Sequence, residues 1–233
     1  MPPLSLEICP VCGENQFTVQ PVLWQALIAE WELSSDEVDY VNLQQGFTCS
    51  ACNNNLRSMT LAAAVTRAFA FEGCFKDFCT MNTEIRQLAV VEINPAGNLT
   101  PFLQLLPMHA LHSFPELDLQ RLNFQAASID LLIHSDTLEH VPDPLLALRE
   151  SWRVLKPGGH LFYTVPIIKD RLTRTRQGLP PSYHGAPETF HDDFKVETEY
   201  GADFWCELFE AGFREVTIRS LIFPASLAID ASK

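Results

Sequence analysis

The chain has 233 residues, 47% of them hydrophobic and 19% charged, with a formal net charge of −13. That size suits one ordinary domain plus a small module, and the charge works against a nucleic-acid partner, because binding phosphates needs clustered Lys and Arg. No apolar run approaches the roughly 20 residues that cross a bilayer; LAAAVTRAFAF (61–71) comes nearest, and Arg67 interrupts it.

The opening MPPLSLEICP has no basic segment ahead of an apolar stretch, so no export signal is expected and a cytoplasmic location is the default. In such a chain cysteines are expected to be thiols or metal ligands rather than disulfides. Four of the seven are paired, as CPVC (Cys9, Cys12) and CSAC (Cys49, Cys52), with turn residues Gly13 and Asn53 directly after. Tetrahedral zinc accepts four thiolates at about 2.3 Å each, and such a closed set leaves no position for chemistry. Structural zinc is therefore expected, with redox cysteines as the alternative. The 36-residue spacer between the pairs must itself fold, and WQALIAEWELSSDEVDYV (24–41) reads as a helix that Ser35 can cap. Seven acids and a single basic residue, Arg57, lie within residues 1–60, so this ribbon-like module is expected to brace its neighbour or shape a pocket rather than bind nucleic acid. Cys74, Cys79 and Cys206 are expected to be buried thiols.

Next comes LRSMTLAAAVTRAFAF (56–71), of helix-forming composition and suited to link two modules. LAVVEI (88–93) is a short apolar run of the kind found in strands buried on both faces. NLTPFLQLL reads as a short helix, and MHALHSF (108–114) and IDLLIHS (129–135) as two further strands. DPLLALRESWRVLKPGG (143–159) reads as the clearest helix, capped by Asp143, entered through Pro144 and ended by Gly158 and Gly159. Its Leu145, Leu148, Trp152 and Leu155 fall on one stripe. HLFYTVP (160–166) is a strand, and a polar stretch to about 200 follows. Within it the basic run KDRLTRTR (169–176) reads as a solvated loop in preference to an anion site. GADFWCELFEAGF (201–213) reads as a helix, with REVTIRSLIF and SLAID as closing strands. Strands alternating with helices imply an α/β fold with a doubly wound, Rossmann-like, mostly parallel sheet. The expected division is a zinc-ribbon-like module over 1–57, a helical linker over 58–84 and the main domain over 85–233. Ligands in such sheets bind beyond the carboxyl ends of the strands, near the switch point, which directs attention to 92–98, 112–119, 134–140 and 164–170.

The run IDLLIHSDTLEHVPDPLLALRESWRVLKPGGHLFYTVP (129–166) resembles class I S-adenosylmethionine-dependent methyltransferases, in the branch that carries LEHV, RVLKPGG and a strand ending in VP. The order of elements extends the likeness loosely over 85–233, and a CxxC pair ahead of such a domain is similar to certain bacterial methyltransferases, sugar methyltransferases among them. The resemblance implies that Glu92 and the turn Asn94, Pro95, Ala96, Gly97 lie at the cofactor's methionine end. It implies Glu116 for the ribose hydroxyls, Asp118 with Leu119 for the adenine, and His134 with Ser135 facing the methionine and the transferred methyl. The turn departs from the family pattern, with a single Gly97 after a Pro95 that has no N–H to donate. A working site and a degenerate one both remain open.

Methyl transfer asks a protein mainly to align nucleophile and methyl and to exclude water. A base is needed only where the acceptor must lose a proton, and histidine suits that near neutral pH. His184 and Tyr183 in PPSYHG and His140 in LEHV are the catalytic candidates, beside His191, Asp192 and Asp193 of FHDDF in the same insertion. The plainer reading is that SYHG orders a long loop and that His140 shapes the turn after its strand. A metal cluster of His134, Asp136, Glu139 and His140 is set aside, because the methyl donor needs no metal. His109 and His112 read as ordinary strand residues on opposite faces. The expected function is methyl transfer from S-adenosylmethionine to a small-molecule or sugar-containing (glycan) acceptor, beside structural zinc and without nucleic-acid or membrane partners. The alternative is a non-catalytic scaffold of methyltransferase fold whose acidic surface serves protein contacts.

Overall fold

The computed structural model describes residues 6–184 and 194–233. In chain order the elements are β1 (Phe17–Val19), α1 (Gln25–Glu30), α2 (Ser35–Gly46), β2 (Phe47–Cys49), α3 (Leu56–Ala68), α4 (Phe75–Met81), β3 (Val90–Ile93), α5 (Thr100–Leu103), β4 (His109–His112) and β5 (Ile129–Ser135). There follow α6 (Pro144–Val154), β6 (Leu155–Thr164), β7 (Ile167–Ile168), β8 (Arg174–Thr175), β9 (Thr198–Gly201), α7 (Cys206–Ala211), β10 (Glu215–Arg219) and β11 (Ala228–Ser232). They divide into two compact units, one of Met1–Gln87, Gly97–Pro107 and Ile218–Ile229, the other of Leu88–Ala96, Met108–Thr217 and Asp230–Lys233. Among the described residues no helix is long and apolar enough to cross a membrane.

In the first unit β1 and β2 pair antiparallel, Phe17 opposite Cys49, and the Phe17 and Phe47 rings stack at 4.8 Å. The helix expected over 24–41 is two helices, broken near Glu32, whose φ is +50°. Ser34, not Ser35, caps α2. Its hydroxyl accepts from the Glu37 amide while the Glu37 carboxylate accepts from the Ser34 amide at 2.7 Å, a reciprocal pair that fixes the cap one residue earlier. Asn55 caps α3, whose Leu56, Met59, Leu61, Ala62 and Val65 are buried. The first amides of α4, Phe75 and Lys76, donate to Pro10 and Val11 of the first cysteine knuckle at 2.8 and 2.9 Å.

A Rossmann-like sheet has the order β10-β11-β6-β5-β3-β4, of which β6, β5, β3 and β4 lie in the second unit. Its β4/β3, β3/β5 and β5/β6 pairs are parallel. All of β3 and all of β5 except Asp130 are buried, as a strand covered on both faces requires. The chain leaves β3 for β4 on one side and then crosses to β5 on the other. That reversal puts the switch point at the carboxyl ends of β3 and β5.

The helix expected over 143–159 ends at Val154, four residues before Gly158. Leu155 is already extended (φ −68°, ψ 138°) and pairs with Ile129, and Pro157 bars further helix. The buried stripe is accordingly Ala147, Leu148, Ser151 and Val154, while Leu145 and Trp152 are half-buried. The stretch after β6 holds a second, small sheet of order β7-β9-β8 that the polar sequence conceals.

Candidate functional site

In the first unit the two knuckles converge. Four sulfurs around one centre at about 2.3 Å stand about 3.8 Å apart; Cys9 and Cys52 Sγ are 3.7 Å apart, and Cys12 and Cys49 Sγ 3.6 Å. All four lie within 4.8 Å of one another, and all are free thiols. Each knuckle closes on itself: Gly13 N donates to Cys9 O and Asn53 N to Cys49 O, at 2.9 Å in both, with φ +84° at Gly13 and +55° at Asn53. Burial pushes the Cys9 thiol far above its ordinary value and Cys12 up to about 11. At Cys49 burial acts the same way, but the amides of Cys52 and Ala51 outweigh it and lower the thiol. Four sulfurs this close form a donor set that fits zinc.

In the second unit the turn after β3 is committed in detail. Glu92, fully buried, accepts the Ala96 amide on Oε1 at 2.7 Å and meets His109 Nε2 with Oε2 at 2.8 Å. Asn94 takes φ +56°, and its amide donates to His112 O at 2.8 Å. Its side chain accepts from Phe114 N at 2.9 Å and reaches Thr137 Oγ1 at 3.5 Å, so it spans the ends of β4 and β5. Gly97 follows at φ +60°. Asparagine tolerates the left-handed region that glycine enters freely. Pro95 lacks a donor, and Gly97 and Asn98, with which the chain re-enters the first unit, are both exposed.

Of the other positions implied for the cofactor, Glu116 is exposed beyond β4 and Leu119 is buried. Asp118 accepts the Gln120 amide at 2.8 Å. Ser135 Oγ lies 2.8 Å from Thr164 Oγ1, which donates to Asp136 Oδ1 at 3.1 Å. His134 is wholly buried, its ring stacked on Tyr163 at 5.0 Å, and neither ring nitrogen has a hydrogen-bond partner among the described residues. Burial, opposed by Asp136, lowers its pKa to about 3, so it stays neutral. His112 turns its ring edge-on to Phe124.

Beyond β5 a third group gathers. Glu139, buried, presents Oε1 3.6 Å from His140 Nε2 and 3.7 Å from His184 Nδ1, and the two rings meet edge to face at 4.9 Å. His140 Nδ1 is 2.9 Å from Lys195 O. A carbonyl only accepts, so Nδ1 carries the proton and Nε2 keeps its lone pair. Burial lowers the His140 pKa against the opposing pull of Lys195 O, Asp136 and Glu197. Ligating atoms of Glu139, His140 and His184 lie within 4.8 Å of one another, a grouping that includes neither His134 nor Asp136. Tyr183 pairs with Lys195 through a backbone bridge beside His184. His191, Asp192 and Asp193 lie outside the described residues. The basic run is paired: Arg174 and Arg176 both meet Glu199, and Lys169 meets Asp170. The sequence reading names His109 only as a strand residue and Glu139 only in a metal cluster set aside, because cross-strand register and long-range closure leave no mark in local spacing.

Residues 79–163, less than half of the chain, match the family described as a methyltransferase domain. Over 68 residues the chain is 35% identical to a ubiquinone biosynthesis O-methyltransferase of Idiomarina loihiensis, covering 27% of this chain and 28% of that one. Over 117 residues it is 27% identical to the protein of the same name from Nitrosococcus oceani, covering 45% and 47%. The chain thus spans less than half the length of these curated relatives. Among solved structures, a possible histamine N-methyltransferase of Thermotoga maritima is 15% identical with a TM-score of 0.45, covering 76% of this chain and 90% of that one. An S-adenosylmethionine-dependent methyltransferase of Mesorhizobium loti is 14% identical with a TM-score of 0.42, covering 68% and 97%.

Proposed function

We propose that the chain is an S-adenosylmethionine-dependent methyltransferase acting on a hydroxyl of a small-molecule or sugar-containing acceptor. The observation that carries the reading is that the matched stretch 79–163 contains β3, β4 and β5, at whose carboxyl ends the turn at Asn94 and the acids Glu116 and Asp118 follow. The relatives named as O-methyltransferases favour oxygen as the accepting atom.

When bound, the cofactor supplies an electrophilic methyl on a sulfonium. On this reading the left-handed Asn94 and Gly97 let the backbone approach its amino-acid end, with Glu92 holding the turn from beneath and His134 and Ser135 walling the methionine side. Glu116 offers acceptor oxygens to the ribose, and Asp118 with Leu119 borders the adenine. His140 takes the acceptor's proton on Nε2, which its Lys195 hydrogen bond leaves unprotonated, and the Glu139 carboxylate at 3.6 Å stabilises the imidazolium that forms. His184, against the same carboxylate, is the alternative base, with Tyr183 beside it.

We infer as well that Cys9, Cys12, Cys49 and Cys52 hold structural Zn2+, and that the free thiols belong to a reducing, cytoplasmic setting. A second reading, a non-catalytic scaffold making protein contacts through its acidic surface, draws support from the turn, where Pro95 has no donor and the Asn94 and Ala96 amides are spent.

The test is transfer of isotopically labelled methyl to a panel of phenolic, catecholic and sugar hydroxyls. Wild type is expected to label one class, and His140→Asn to turn over about 100-fold more slowly. Transfer to none of the panel would favour the scaffold.

A further inference from the structure

We propose that the second cysteine knuckle clamps the far end of the β3 turn, making Asn54 and Asn98 positioning residues for the cofactor. The proposal rests on the methyltransferase reading above. The side chain of Asn54 is fully buried and bridges two groups. Its Nδ2 lies 3.4 Å from both Sγ and O of Cys52 and donates to Asn98 O at 3.1 Å. Asn98 answers in the opposite direction, its own Nδ2 donating to Asn53 O at 2.5 Å. Asn53 is the left-handed residue that closes the knuckle onto Cys49. A Cβ at Gly97 would come within 3.3 Å of the Oγ of Ser58, the residue whose amide the α3 cap Asn55 accepts. Every one of these contacts lies within the first unit.

The clamp falls where the turn needs it. With Pro95 lacking a donor and the Asn94 and Ala96 amides spent, the next amides along the turn that can serve a ligand are those of Gly97 and Asn98. Both are exposed, so burial does little to hold them. A turn with several glycines reaches its ligand by conformational freedom, which costs entropy when it is fixed. Here the knuckle fixes the segment beforehand through two hydrogen bonds running in opposite directions. Cys52 as a thiolate ligand is a stronger acceptor than a thiol, so metal loading strengthens the contact that orients the Asn54 amide, as groups hydrogen-bonded to a metal's ligands commonly do in reverse for the metal.

Two measurements decide it, both made on metal-replete full chain with S-adenosylhomocysteine as the probe. By calorimetry, Asn54→Ala and Asn98→Ala are each expected to keep full zinc content and weaken binding by about 10-fold, within the usual range of coupling between sites. Their double variant should fall short of additivity, because both substitutions open one clamp. In cobalt-substituted protein, the probe is expected to shift the thiolate-to-cobalt charge-transfer band, and Asn54→Ala to abolish the shift. Wild-type affinity in both variants, or a cobalt band indifferent to the probe, would overturn the clamp while leaving the cofactor site standing. Absence of binding by wild type would instead overturn the methyltransferase reading and the clamp with it. Should Asn54→Ala lose metal, Asn98→Ala decides, since its side chain touches no sulfur.

Discussion

The knuckle at Cys49–Asn53 and the turn at Asn94–Gly97 each reverse the chain through a left-handed asparagine, with φ +55° at Asn53 and +56° at Asn94. What receives their amides differs. At the knuckle the backbone closes on itself, Asn53 N to Cys49 O and Cys49 N to Asn54 O, and the thiols are left to face a common centre. At the β3 turn the amides go to His112 on the next strand and to the buried Glu92 carboxylate, which itself leans on His109. One turn is set by a few consecutive residues and a metal-ready donor set, the other by three strands and a buried pair. Damage to the first should therefore cost the metal, and damage to the second should cost the fold around it.

The largest effect is expected at the knuckle. Cys49→Ser, or a strong chelator, would remove the proposed zinc, whose binding free energy in small zinc domains is about 10–16 kcal/mol. Zinc content should fall away and the cooperative melting of the first unit with it; an unchanged melt would break the comparison on its first side. Next comes Glu92→Ala, which leaves His109 and the Ala96 amide buried without their partner and is expected to cost about 3–5 kcal/mol by denaturant midpoint. Glu92→Gln keeps an acceptor for Ala96 and should cost clearly less.

A pH scan supplies a reference on β5, the strand beside β3. His134 titrates at about 3 in the fold and at about 6.5 when unfolded, so between those values the unfolded chain binds the extra proton. Its contribution is fully present above about 6.5 and is lost as pH falls towards 3, at about 1.4 kcal/mol per pH unit. His134→Phe, which keeps the stack on Tyr163, should flatten that slope; an unaltered slope would assign it elsewhere. The smallest effect is Asn94→Gly. It relieves the left-handed backbone but gives up the bonds to Phe114 N and Thr137, for a net change within about 1 kcal/mol. A loss several times larger would mean that the asparagine amide alone holds β4 to β5.

Much of the frame could be read from local pattern. IDLLIHS is a strand over the expected residues because a run buried on both faces has few other uses, and the CxxC spacing announces four converging thiols. Where competing local signals exist, the reading slips by a few residues. Ser34 and Ser35 both suit a cap until Glu37 chooses between them, and RVLKPGG looks helical until Leu155 pairs with Ile129. The candidate site was legible only in part. Its strand ends follow from the alternation of elements, whereas the pairing of His109 with Glu92 depends on register between strands. Glu139 meets His184 across 44 intervening residues, and no period in the sequence betrays the small sheet β7-β9-β8.

The central claim is that the β3 turn, poor in glycine, still holds the cofactor, and calorimetric titration of S-adenosylhomocysteine into zinc-replete protein tests it most directly. The account expects saturable binding at one site per chain, lost in Gly97→Val, where a branched side chain meets a left-handed backbone, and weakened in Asp118→Ala. A folded, metal-replete protein that releases no heat and binds no probe would contradict it.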